Sequence, residues 1–158
     1  MGWWDCGIFG GDTPLDMLGD IAQTLMVPNI DDKHDEAGEE YESYMLYPVE
    51  RWSDERAKLI AKAIKKNWKK IQGIIDSYSD DIVIQVVATL IMASGGTFPR
   101  GFRPKAIAAG NNDEWAAEGG ERRARIQEYI KAVNEYKSGT RIVLTSEGLF
   151  SKMEKLLN

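Results

Sequence analysis

Four aspartates near the start of the chain, Asp5, Asp12, Asp16 and Asp20, are the densest set of side chains that could do chemistry. Asp16 and Asp20 are four apart and share one face of a helix, with Asp12 just before that helix. Like charges so spaced repel by roughly a few tenths of a kcal/mol. A hard cation held by their oxygens would relieve the repulsion, which is what a metal-dependent enzyme would require. Ordinary roles also account for them: Asp16 as a capping residue, Asp12 in an Asx turn and Asp20 in water. The spacing is that of neither an EF-hand loop nor a metal-hydrolase motif, so no metal site and no cofactor is expected.

His34 is the only histidine and lies in Asp31-Asp32-Lys33-His34-Asp35-Glu36, without the His or Cys companions of a zinc site. A Ser-His-Asp or Cys-His arrangement would have to recruit it from a polar, loop-like segment, whereas such catalysis needs rigid positioning. The glycines at 7, 10, 11, 95, 96, 119 and 120 are not followed by Lys-Ser/Thr, which excludes a phosphate loop. No catalytic residue is assigned.

Two features point to binding instead. Lys62, Lys65, Lys66 and Lys69 gather on one helix face, and Phe98-Pro99-Arg100-Gly101-Phe102-Arg103-Pro104-Lys105 interleaves cations with aromatics. Positive charge with aromatics suits nucleic acid, although a lysine stripe opposite an apolar one is most often a solvated face. Trp3 and Trp4 stand in a Gly-rich arm. Adjacent side chains of an extended arm point to opposite sides, so Trp4 is expected in the core and Trp3 is left free to anchor a partner.

These residues must be held by helices. Thr13-Pro14-Leu15-Asp16 reads as a helix start with Thr13 as N-cap and Pro14 first in the helix, running to about Leu25 and ending before Pro28. Residues 29–43 are polar and acidic and read as a loop, and 44–52 as an apolar connector. Ser53 caps a helix expected to reach Tyr78, with Ile60, Ile64, Ile71 and Ile75 on one face and the lysines opposite. Asn67 falls within the apolar face and needs a partner if buried. Ser79 is read as the cap of a helix over Ile82 to Ala93 that is apolar nearly all round and therefore central, ended by Gly95-Gly96. A short helix follows, with Pro104 first and ending at Ala109. A brief helical piece then holds Trp115. Next comes an amphipathic helix from Glu121 to Tyr136 with Ile126, Tyr129, Ile130 and Val133 inward. Arg141 to Leu144 reads as a lone strand or connector, and Ser146 to Leu157 as a last helix.

The chain has 158 residues, 43% of them apolar, which suffices for one core without disulfide or metal. The expected fold is mainly α: a single domain over 1–158 with about five to six helices, an irregular N-terminal arm and at most one short strand. The lone Cys6 excludes an internal disulfide and suits a reducing compartment. The acidic start lacks the basic region of a signal peptide, and no apolar run is long enough for a bilayer span, so a cytoplasmic location is expected and no membrane partner. The net charge of −5 hides an asymmetry. Residues 1–50 hold 12 acidic side chains and one basic one, net −11; residues 51–158 hold 19 basic and 13 acidic ones, net +6. Either the two parts neutralise each other, or one faces an oppositely charged molecule.

The opening Met1-Gly2-x-Trp4-x-x-Gly7-Ile8-Phe9-x-x-Asp12-x-x-x-Asp16, followed by Leu18 and Asp20, resembles the signature of an uncharacterised family of small acidic proteins from bacteria and their phages. The likeness covers about twenty residues, with further similarity at Asp113-Glu114-Trp115-Ala116 and Glu147-Gly148-Leu149-Phe150. The chain departs from the family at Asp5, commonly Gly there, and at Gly10-Gly11. The resemblance implies a bacterial or phage origin and a shared N-terminal structure, and carries no chemistry. The leading expectation is thus a non-enzymatic accessory factor that engages another protein through its acidic N-terminal third, in one form an inhibitor of a host or defence protein. The alternatives are a metal-dependent enzyme built on the aspartates and a nucleic-acid-binding protein using the Lys-rich helix.

Overall fold

The computed structural model describes residues 7–28, 30–31 and 45–153. Trp3, Trp4, Asp5, Cys6 and His34 lie outside the described residues. Among those described, the chain forms α1 (Asp12–Leu25), a 3-10 turn (Val49–Arg51), α2 (Asp54–Lys66), α3 (Trp68–Ser77), α4 (Ile82–Ser94), α5 (Phe102–Asn111), α6 (Glu114–Ala117) and α7 (Gly120–Glu135). Strands β1 (Ile142–Leu144) and β2 (Phe150–Lys152) complete it. The fold is mainly helical, as expected, with seven helices among the described residues: the long 53–78 helix is two, the short α6 counts as one, and the last helix expected is absent over its described part.

The apolar surface of α4 accounts for the architecture. Every residue from Val83 to Ser94 except Ile84 is buried, as a helix apolar on all sides requires. Helices α1, α2 and α5 and strand β1 pack around it, and α7 packs on α5 and α6. Gly95, in the left-handed region at φ 74°, ends α4 as its C-cap, with the Gly95 and Gly96 amides returning to the last carbonyls.

Several local expectations are corrected. Helix α1 begins at Asp12, with Gly11 as a cap that offers no side-chain acceptor, so Thr13 is not the N-cap. Helix α5 likewise begins at Phe102, two residues before Pro104. In both helices proline therefore stands third rather than first. The first four N–H groups of a helix have no internal partner, so proline is tolerated throughout that turn.

The helix expected over 53–78 starts as read, with Ser53 Oγ accepting the Arg56 amide, but breaks at Asn67. The Asn67 side-chain amide and its backbone N–H both donate to the Ala63 carbonyl at 2.9 Å, while its own carbonyl accepts from Ile71. This supplies the partner that Asn67 needs. A side chain competing for a backbone carbonyl is a common cause of such a break. Ser79 does not cap α4; Asp80 Oδ1 accepts the Ile82 amide instead, at 3.0 Å.

The last helix expected, Ser146 to Leu157, is replaced over its described part by a turn and β2. Gly148, at φ 79°, turns the chain, and β2 runs antiparallel to β1 with Val143 opposite Ser151. All of β1 is buried against α4, and its backbone groups need partners there. The returning strand supplies them. Residues 154–158 lie outside the described residues.

Candidate binding groove

Two depressions flank the core, and their chemistry differs. The first, about 440 Å³, is lined by Asp80, Asp81, Gln85, Asp113, Glu114 and Trp115 among others. Its buried wall is a closed polar network. Arg122 donates to Asp113 Oδ2 at 2.6 Å, to Gln85 Oε1 at 3.1 Å and to the Gly7 carbonyl at 3.0 Å, and its guanidinium lies 5.0 Å from the Trp115 ring. Gln85 donates to Asp113 Oδ2 and to the Ala109 carbonyl. Asp113 Oδ1 accepts the Ala116 amide and so caps α6. Burial pushes the Asp113 carboxyl up, but Arg122, Gln85 and the Ala116 amide together outweigh it and hold the group below its usual value. Each carboxylate oxygen is occupied, so the network fastens the N-terminal residues, α4, α6 and α7 together rather than offering a base.

The second is a groove of about 790 Å³ between α2 and the segment that follows α4. One wall is α2, with Lys58, Leu59, Ala61, Lys62, Ile64 and Lys65. The other is the end of α4 with residues 95–100, and Trp68 closes one end. Leu59 is 41% exposed, one of the few large apolar side chains so exposed among the described residues. The volume falls in the range of ligand-binding clefts.

The second wall is held firmly. The Gly95 carbonyl accepts from the Gly139 amide at 2.9 Å, the Gly96 carbonyl from the Tyr136 hydroxyl, and Thr97 Oγ1 from Ser138 at 3.0 Å. Behind it, Phe98 packs on Tyr136 and Phe102, and Trp68 meets Phe102 edge-on at 5.2 Å. At Gly96 a Cβ would stand 3.4 Å from Ala61 Cβ, so the two walls pack closely there. A groove with fixed walls spends little ordering entropy on an occupant.

The residues singled out in the sequence divide sharply. Lys62, Lys65 and Arg100 line the groove, joined by Lys58; Lys66 and Lys69 are exposed but do not line it. Among the described residues none of these cations makes an ion pair. Arg103 is not a surface cation: it donates to the Val133 and Tyr136 carbonyls and sits 4.9 Å from the Phe98 ring. Phe98 and Phe102 are buried and of the two only Phe98 borders the groove, so the cation–aromatic run at 98–105 presents no exposed ring for a base to stack on.

Asp16 and Asp20 are exposed on α1, and Asp20 accepts a hydrogen bond from the Tyr78 hydroxyl. Asp12 lies in the first turn of α1. Trp3 and Asp5 lie outside the described residues. Among the described residues no three potential ligands gather to hold a metal ion, and no described carboxylate before residue 51 pairs with a lysine of α2 or α3. No helix among the described residues is long and apolar enough to cross a membrane.

Arg122 and the groove were both missed by sequence reasoning, and both had a signal. Arg122 stands on the stripe of Ile126, Tyr129 and Val133, where a charge must find a buried partner. Leu59 interrupts the lysine face of α2 with an apolar residue. No protein-family model, no curated protein and no solved structure matches this chain.

Proposed function

We propose that this protein is a non-enzymatic binding module whose partner is another protein, met at the groove beside α2. One observation carries the reading: a preformed apolar cleft, open at Leu59, edged by Lys58, Lys62, Lys65 and Arg100 with no ion pair among the described residues. Apolar surface rimmed by charge is the form that protein interfaces take. The closed Asp113–Arg122 network favours binding over chemistry at the other depression. An accessory factor of a bacterium or phage, inhibiting a host or defence protein, is the narrower form of the same reading. The surface concerned is the basic one beside α2, not the acidic N-terminal third on which the sequence placed the weight.

Affinity purification of the tagged chain at low and at high salt tests this, with mass spectrometry of what is retained. A stoichiometric protein is expected at low salt, reduced at high salt and lost with Leu59→Asp. No protein in either condition, or the same protein retained by Leu59→Asp, would overturn the reading.

A further inference from the structure

The arrangement of the cations along the groove specifies its occupant. Lys58, Lys62 and Lys65 stand at i, i+4 and i+7 on α2, and all three line the groove. They therefore mark successive turns along about 10 Å of helix. Arg100 adds a cation on the opposite wall. A lipid or fatty acid carries its charge in one head group and calls for cations gathered at one end. A series at helical spacing answers instead to a series of anions at similar intervals.

The remaining lining, which forms the groove's floor, is mostly apolar: Ile64, Ile91 and Phe98 are buried and Trp68 is half-buried, while Leu59 stands exposed beside the lysines. An occupant must thus offer apolar side chains to the floor and carboxylates to both edges. A helix with apolar residues at i, i+3 or i+4 and i+7 and with Asp or Glu flanking that stripe has this form. A run of phosphates would also follow the lysines, but would leave the apolar floor uncovered.

We infer that the groove binds an acidic amphipathic helix of a partner protein, seated along α2 with its apolar stripe over the exposed Leu59 and the apolar lining and its carboxylates at Lys58, Lys62, Lys65 and Arg100. This rests on the protein-binding reading and gives that partner its chemistry. Electrostatic complementarity of this kind governs orientation and encounter rate more than final affinity.

The test uses the full chain and a displayed library of peptides of about fourteen residues, roughly four helical turns, with randomised positions. Enrichment is expected for apolar residues at i, i+3 or i+4 and i+7 with flanking Asp and Glu. The winning peptide is expected to bind at least about tenfold tighter than its copy with Lys in place of the acidic residues. Leu59→Asp should abolish binding. The quadruple variant Lys58→Glu, Lys62→Glu, Lys65→Glu, Arg100→Glu should reverse the preference, taking the Lys copy over the acidic one. That reversal also shows the variant to be folded, since these side chains are exposed.

Enrichment without acidic residues, equal binding by Leu59→Asp, or no reversal in the quadruple variant would overturn the inference. So would tighter binding of a single-stranded oligonucleotide or of phosphatidylglycerol vesicles than of any peptide. If the purified partner is lost with Leu59→Asp while no acidic helix is selected, the groove is the protein-binding site and only the occupant's chemistry falls. If no partner is captured at all, the protein-binding reading itself falls.

Discussion

Arg122 and Asp113 form an ion pair of 2.6 Å with both side chains almost wholly withdrawn from water. Removing one partner of a buried pair costs about 3–5 kcal/mol, because the other charge stays behind uncompensated. Asp113→Ala also removes the α6 cap. Asp113→Asn keeps an acceptor for the Ala116 amide but loses the charge and puts an NH2 where Oδ2 accepts from Arg122 and Gln85. The expected order of stability in urea unfolding is wild type, then Asn, then Ala, with the Ala variant lower by about 3 kcal/mol or more. A loss below about 1 kcal/mol would show that Gln85 and the Gly7 carbonyl suffice to hold Arg122.

The same pair contributes to stability at acid pH. Asp113 is held below its ordinary value of 3.8. A group with a depressed folded pKa contributes stability that is present above its unfolded pKa and lost as pH falls through the folded one. The fold is therefore expected to lose stability progressively below about pH 3.8, and part of that loss should vanish in Asp113→Asn. Unfolding midpoints measured between neutral pH and pH 2 in both proteins check this. Parallel curves would place the acid sensitivity elsewhere.

Much of this was legible in the residues. The all-round apolar character of 82–93 put α4 at the centre, the Ser53 cap fixed the start of α2, and Gly95 marked the end of α4. What escaped depended on contacts distant in sequence. Asn67 breaks a helix whose periodicity continues across it, because its amide competes for the Ala63 carbonyl. Phe150 reads equally as helix or strand, and buried β1 decides for strand. Lys62 and Lys65 could be placed on one helix face, but nothing local revealed that the 95–100 segment would rise opposite them to make a groove.

Glycines at two sites should respond to alanine in opposite directions. Gly110 lies where α5 meets α7, and a Cβ there would stand 2.8 Å from Ile130 Cγ1 and 3.2 Å from the Tyr129 ring. Overpacking costs about 1–3 kcal/mol, which exceeds the gain of up to about 1 kcal/mol from helix propensity. Gly110→Ala should be destabilised. Gly19 is exposed within α1 with nothing within 4 Å of such a Cβ. Gly19→Ala should gain about 0.5–1 kcal/mol. Thermal melts of the two variants against wild type decide, and shifts of the same sign would contradict the packing at Gly110.

The hydrogen bond from the Tyr78 hydroxyl to Asp20 bears on the aspartate cluster. Accepted by Asp20, and then through partial burial and the negative charges of Asp20 and Asp16, the phenol is pushed up to about 12. A raised folded pKa means that the bond's contribution is full below about pH 10 and is lost as pH rises toward 12. In Asp20→Asn the Tyr78 midpoint should fall toward the ordinary 10.0. An NMR titration of the ring, assigned with Tyr78→Phe, reads it directly. The same titration tests the metal alternative, because a cation seated on Asp16 and Asp20 must compete with Tyr78 for the Asp20 oxygens. If Asp20 serves as the partner of Tyr78, millimolar Ca²⁺, which stays dissolved at this pH, leaves the midpoint where it was. A midpoint that drops with Ca²⁺ would mean that the cation takes the carboxylate from the phenol, and the aspartates of α1 would then be a metal site.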